Sequence, residues 1–267
     1  MTTIIAIRCK NAVIMAADKQ ATGFTKETVT KITPLDQNRL IACAGAATYI
    51  GLFKDILRDT LKRHRGRHTD NFKIINEAGS SYRESTIRIA ESTDTHTSNP
   101  KFYPEAIFAA FEKKQKSNRL FQTAPDLRDL FLEVLSPQNR ATAGHGGDSA
   151  TVFLRSAEDV MARMDSKLID INWMEFSPRL VSQLCFVLLR RISYIDPYTS
   201  GQQIYQLDSL GGRQLDPQKD IFDNAQKGDE AYVTVLVRTI RKEVDREKIL
   251  KLVEVFRVPE LIKDYLR

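Results

Sequence analysis

Two apolar runs open the chain, Thr2 to Cys9 (TTIIAIRC) and Ala12 to Asp18 (AVIMAAD), parted only by Lys10-Asn11. Both are rich in β-forming residues, and a two-residue polar break between extended runs predicts a hairpin. The polar, threonine-rich stretch after Asp18 predicts a loop. Two more extended stretches, Thr28 to Thr33 and Arg39 to Ala44, flank the turn-forming string Pro34-Leu35-Asp36-Gln37-Asn38. From Tyr49 the period changes. Ile50, Phe53, Ile56, Leu57 and Leu61 recur at helical spacing, and a second helix is predicted across Asn71 to Ser92.

Residues 92–98 predict a loop, Ala106 to Lys114 and Leu127 to Leu135 predict helices, and Ala150 to Arg155 with Val160 to Asp165 predict a strand pair. Leu180 to Ile195 is a strongly apolar helix with Pro178 near its start. Gln203 to Asp208 and Glu230 to Arg238 predict strands, and helices over Val244 to Phe256 and Pro259 to Leu266 close the chain. This order of strands, helices, strands, helix, strands and helices predicts an α+β layered domain over a parallel βαβ fold.

Charge and composition narrow the function classes. The net charge of +6 gathers at Lys62-Arg63-His64-Arg65-Gly66-Arg67-His68 and again from Arg238 to Lys251. No aromatic residues interleave the first cluster as stacking platforms, so it reads as a solvated helix end and nucleic acid is not expected. His64 and His68 stand one helical turn apart, but the flanking cations disfavour a metal, and no cofactor is expected. The longest apolar run, Leu184 to Leu189, is far short of the roughly 18 residues that span a bilayer. Cys9, Cys43 and Cys185 have no CxxC spacing and no secretory signal precedes them, which predicts reduced thiols in the cytoplasm.

Several short strings share an order and spacing with one family. They are Thr2-Thr3 at the start, Ala16-Ala17-Asp18-Lys19-Gln20-Ala21-Thr22, Lys31-Ile32, Ala44-Gly45 after an apolar strand, and Asp196-Pro197-Tyr198-Thr199-Ser200-Gly201 leaving an apolar helix. Together they resemble proteasome β subunits and the related bacterial HslV peptidase, well over residues 2–65 and moderately over 178–212. The resemblance implies an N-terminal-nucleophile hydrolase with a four-layer αββα sandwich over residues 2–240. A poorly matched middle segment, about 93–148, would be inserted, and residues 241–267 would form a helical extension. It also implies that Thr2 becomes the nucleophile once Met1 is removed, with Asp18 and Lys31 as its charged neighbours. The backbone N–H of Gly45 would form the oxyanion hole, and Asp196 and Ser200 would support the nucleophile. Thr22, Gly45 and Ala47 would pair with the substrate backbone, while Ala21, Cys43 and Ala47 line the specificity pocket. The implied partners are peptide or unfolded protein, further copies in a ring or other multimer, and an ATPase regulator.

The residue types fit that chemistry. A threonine hydroxyl needs a base, and a free α-amine, with a pKa of about 7.7–8.0, supplies one on the same residue. A lysine beside the hydroxyl favours its deprotonated form, and a carboxylate holds the lysine. A hairpin of 2–9 with 12–18 would return Asp18 to the level of Thr2. The reading is a threonine-type peptidase acting through an acyl-enzyme. A ligase passing the same acyl group to an amine, and a non-catalytic assembly subunit, are the alternatives.

The chain also departs from the family. The loop from Thr22 to Lys31 is short, Gln20 replaces a basic residue, and Asp196 and Ser200 are spaced one residue wider than usual. Family members often carry Gly-Ser-Gly before the third helix, whose serine completes the site. Ser166 lies in roughly that region without the glycines. Ala143-Gly144-His145-Gly146-Gly147-Asp148-Ser149 has no triad or Walker spacing, and reads as a loop before a strand near the entrance to the site.

Overall fold

The structure, a computed structural model, describes residues 2–22, 26–65, 69–93, 104–123, 131–135, 139–164, 173–195, 200–222 and 228–243. Six strands come first: β1 (Ile4–Cys9), β2 (Ala12–Ala17), β3 (Gln20–Thr22), β4 (Lys26–Thr28), β5 (Ile32–Asp36) and β6 (Arg39–Ala44). Helices α1 (Ala47–Arg63) and α2 (Asn71–Ser92) follow, then strands β7 (Glu105–Glu112), β8 (Ser117–Thr123), β9 (Phe131–Glu133) and β10 (Arg140–Ala143). Helices α3 (Gly147–Met164) and α4 (Pro178–Ile195), strands β11 (Gln203–Asp208) and β12 (Gly211–Gln214), and helix α5 (Asp229–Glu243) complete the order.

The strands form two five-stranded antiparallel sheets, ordered β10-β1-β2-β11-β12 and β5-β6-β7-β8-β9, and β3 and β4 make a separate ribbon. The opening hairpin forms as its sequence predicts, with Ile4 opposite Ala17 and Cys9 opposite Ala12. Asn11 takes φ 60°, the left-handed turn conformation that asparagine tolerates and a two-residue hairpin demands.

Strand parity sorts the core. In β1 and β2, Ile5, Ile7, Ile14 and Ala16 pack with Phe153 and Leu154 of α3 and with Cys185, Leu188 and Leu189 of α4. Their alternates Ile4, Ala6, Val13 and Met15 share a second cluster with Leu40, Ala42, Ile107 and Ala109 of the other sheet. The opposite parity of that sheet, Ile41, Cys43, Phe108 and Ala110, packs with Phe53 and Leu57 of α1 and Ile75 and Tyr82 of α2. Both faces of the central strands are therefore buried, and their sequences run apolar without alternation.

That same burial explains where local patterns mislead. The segment 106–114, expected as a helix, is strand β7, because its alanine-rich run serves two buried faces and loses its period of two. Of the helix expected over 127–135, residues 131–133 form strand β9, paired with β8. The strand pair expected within 150–165 is the single helix α3, whose Ala150, Phe153 and Leu154 face the first cluster at helical spacing. The strand expected at 230–238 is helix α5. Its Tyr232, Val233, Leu236 and Ile240 form one stripe, and Tyr232 meets Phe186 of α4 at 4.9 Å between ring centroids. Tertiary burial overrides the β-propensity of the valines and threonines in both helices. The stretch 93–148, set apart in the sequence, supplies β7, β8 and β9 to one sheet and β10 to the other. The helices expected beyond Glu243 lie outside the described residues. Among the described residues no helix is long and apolar enough to cross a membrane.

Candidate active site

Asp18 follows the last residue of β2 and is fully buried. Its backbone N–H donates to the Thr3 carbonyl at 3.2 Å, and its Oδ1 accepts the Thr3 N–H at 2.6 Å. The other oxygen, Oδ2, accepts from the Lys31 ammonium at 2.6 Å and from the Gln20 N–H at 3.1 Å. Burial pushes the Asp18 carboxyl above its ordinary value, while the Lys31 bond and the two amide donors favour the carboxylate. The hairpin thus does bring Asp18 back to the start of β1, opposite Thr3.

Lys31 reaches this carboxylate because a residue on another strand pins it. Gln203, buried in β11 and paired opposite Ala17, accepts the N–H groups of Lys31 at 3.1 Å and Ile32 at 3.2 Å. Its amide donates back to the Ile32 carbonyl at 3.3 Å. The start of β5 in one sheet is thereby tied to β11 in the other. The sequence reading missed Gln203; its signal is a glutamine at a buried position of an apolar strand.

Thr2 is half-buried, and the turn between β10 and α3 closes over its carbonyl. Gly146 N–H donates to the Thr2 oxygen at 3.2 Å. A Cβ on Gly144, which has φ +81°, would lie 2.2 Å from that same oxygen and 3.1 Å from Cβ of Ala44. A Cβ on Gly146 would lie 1.9 Å from Oγ1 of the buried Thr3. Only glycine permits this approach. Gly144 N–H is itself held by Glu105 Oε2 at 2.6 Å. The peptide unit joining Thr2 to Thr3 is therefore gripped at both ends, its N–H by Asp18 and its C=O by Gly146.

Gly45 follows Ala44 at the end of β6, exposed and at φ +136°, and opens the way into α1. Ala47, the first residue of α1, is exposed beside it. Cys43 is buried in the cluster under α1 with Phe53 and Leu57, and burial raises its thiol to about 12. Ala21 and Thr22 lie on ribbon strand β3, whose backbone pairs with β4. Ser200 is exposed, and its carbonyl accepts the N–H of Lys19 at 2.8 Å, one residue from Asp18. Asp196 and Ser166 lie outside the described residues. The structure joins Asp18 to Lys31 and to the peptide unit that follows Thr2, and Gly45 follows the Ala44 whose Cβ a side chain on Gly144 would approach to 3.1 Å. His64 is engaged elsewhere, by Glu77 at 2.7 Å and Thr69 at 3.0 Å. Among the described residues no cluster of three or more metal-ligating side chains occurs.

Residues 1–126 match the sequence profile described as proteasome subunit. The match spans 126 of the chain's 267 residues. The match covers Thr2, Asp18, Lys31 and Gly45, and ends before β10 and the turn over Thr2. No curated protein matches the chain.

The segment immediately before the third helix is Gly144-His145-Gly146, with α3 beginning at Gly147. It is a tight turn into that helix, with Gly147 N–H bonded to the Gly144 carbonyl at 2.8 Å, and not a loop before a strand. A histidine stands there between two glycines. The glycine-rich string was visible in the sequence, but a misread strand after it hid its place.

Proposed function

We propose that this chain is a threonine-type peptidase of the proteasome family with Thr2 as nucleophile, cutting peptide bonds through an acyl-enzyme. One observation carries the reading. The peptide unit that follows Thr2 is fixed by the same buried carboxylate that holds Lys31. The three hydrophobic clusters support a four-layer αββα sandwich over residues 2–240. Once the bond before Thr2 is cut, its α-amine takes the hydroxyl proton as Oγ attacks the substrate carbonyl. The Lys31 ammonium favours the developing alkoxide, Asp18 keeps Lys31 in place, and the Gly45 N–H receives the oxyanion. Ala21, Thr22, Cys43 and Ala47 contribute to the substrate groove, and Asp196 and Ser200 are assigned to support of the nucleophile by the resemblance alone. Departure of the amine leaves an ester on Thr2, which water hydrolyses. The substrates are peptides or unfolded protein in the cytoplasm, and the working form is a ring or other multimer open to an ATPase regulator.

Intact mass of the purified protein, before and after a threonine-directed electrophile, tests the proposal. The expected result is a chain beginning at Thr2 that gains one adduct. A fully active protein whose Thr2 nitrogen stays acylated removes the base and ends the mechanism. Products carrying an added amine identify a ligase, and a chain that takes no adduct is a non-catalytic subunit.

A further inference from the structure

Helix α1 carries a lysine beside the groove, and the reading above leaves it without a task. Ala47, Gly51 and Lys54 recur at i, i+4 and i+7, so they share one face of α1. Ala47 is exposed at the open end of that face, and a Cβ on partly buried Gly51 would meet nothing within 4 Å, so the middle of the face is unfilled. Lys54 closes the other end. Its ammonium, on a partly buried side chain, donates to Thr33 Oγ1 of β5 at 2.9 Å. Thr33 lies two positions from Lys31, about 7 Å along a strand. Thr33 is paired opposite Ile41 of β6, and Cys43 is the next residue on that face of β6. The Lys54 charge reaches this residue: burial raises the Cys43 thiol, and the lysine opposes the rise. An ammonium has three N–H groups, and Thr33 is a neutral acceptor. Among the described residues no carboxylate pairs with Lys54: the adjacent Asp55 is held by Arg58 at 2.9 Å, and Asp18 by Lys31.

We propose that Lys54 is a specificity-determining residue, selecting peptides whose residue on the acyl side of the scissile bond is acidic. The inference rests on Thr2 being the nucleophile. With the scissile carbonyl at Thr2 Oγ, the side chain of that residue enters between α1 and the face of Thr33 and Cys43. The methylenes of a glutamate lie in the gap beside Gly51, and its carboxylate accepts from the Lys54 ammonium. A charge-assisted bond of this kind is stronger than the one a neutral amide makes. A basic side chain meets a like charge in the same place and is rejected. An apolar one fills the gap but strips water from the ammonium without replacing it. Asp18 neutralises Lys31, so Lys54 sets the charge that an incoming side chain meets.

The test compares tripeptidyl vinyl sulfones that differ only in the residue next to the sulfone: glutamate, glutamine, leucine or lysine. Thr2 Oγ adds to the β-carbon of the vinyl group, and the α-carbon takes up the hydroxyl proton. Labelling rates are read as intact mass, and peptide mass maps the adduct to Thr2. For the wild type the glutamate reagent is expected to outpace the glutamine reagent about tenfold, and the lysine reagent by a factor on the order of 10². Lys54→Met is expected to bring the glutamate-to-glutamine ratio to about one. Lys54→Glu is expected to make the lysine reagent faster than the glutamate reagent. A role confined to holding α1 on β5 changes all the rates alike and moves neither ratio. Equal wild-type rates with glutamate and glutamine, or a glutamate preference that persists in Lys54→Met, overturn the inference and leave Thr2 as nucleophile. Wild-type protein that none of the reagents labels overturns the reading of Thr2 itself.

Discussion

Replacing Lys31 by methionine keeps the stem of the side chain and removes only the ammonium. What remains is a fully buried Asp18 carboxylate with the Thr3 and Gln20 amides as its donors and no counter-charge. Stripping one partner from a buried pair costs about 3–5 kcal/mol. For a domain of this size that is a fall in melting temperature of roughly 6–20 °C. The sign with pH follows from the carboxyl. Burial already raises its folded value above the ordinary one, and losing Lys31 raises it further. The folded variant therefore binds a proton more tightly than the unfolded chain does. Its deficit is full above the raised folded value and shrinks as the pH falls through it. Thermal melts of wild type, Lys31→Met, Asp18→Asn and the double variant, each at pH 7.5 and 5, check this. The double variant should lose less than the two single variants together, because it strands no charge. A Lys31→Met melt within about 3 °C of wild type, insensitive to pH, would refute the reasoning and assign the lysine role elsewhere, with Lys26 next. Labelling of Lys31→Met, measured below its melt, should fall by a factor on the order of 10².

Thr2→Ala should lose covalent labelling completely yet change stability by under ~1 kcal/mol, and Thr2→Ser should keep much of the labelling rate. Wild-type labelling of Thr2→Ala would place the reactive group elsewhere and overturn Thr2 as nucleophile. Gly146→Ala forces a methyl to within 1.9 Å of Thr3 Oγ1 and should cost about 1–3 kcal/mol in urea melts. Gly51→Ala, in α1 with nothing within 4 Å of the added carbon, should instead gain about 0.5–1 kcal/mol. A thiol reagent at pH 8 should modify none of the three buried cysteines until denaturant is added, since burial raises Cys43 to about 12 and Cys185 further still.

The sequence by itself determined the opening hairpin, helices α1, α2 and α4, and strand β11, because each carries its own period and its own punctuation. It also returned Asp18 to the start of β1, within one residue of the expected level of Thr2, since a two-residue turn fixes register and register fixes who faces whom. It did not determine β7, α3 or α5. Ala106 to Phe111 is buried on both faces, so a strand there reads like a helix, and the valines and threonines of α3 and α5 favour strands until a neighbouring helix covers them. The partners of the candidate site came from the tertiary structure for a related reason. Gln203 lies 172 positions from Lys31, and Gly146 meets Thr2 only because β10 pairs with β1. Local patterning reports which faces of an element are apolar. Which glutamine reaches which backbone, and which glycine closes over which carbonyl, depends on contacts between distant segments that exist only once the two sheets have packed.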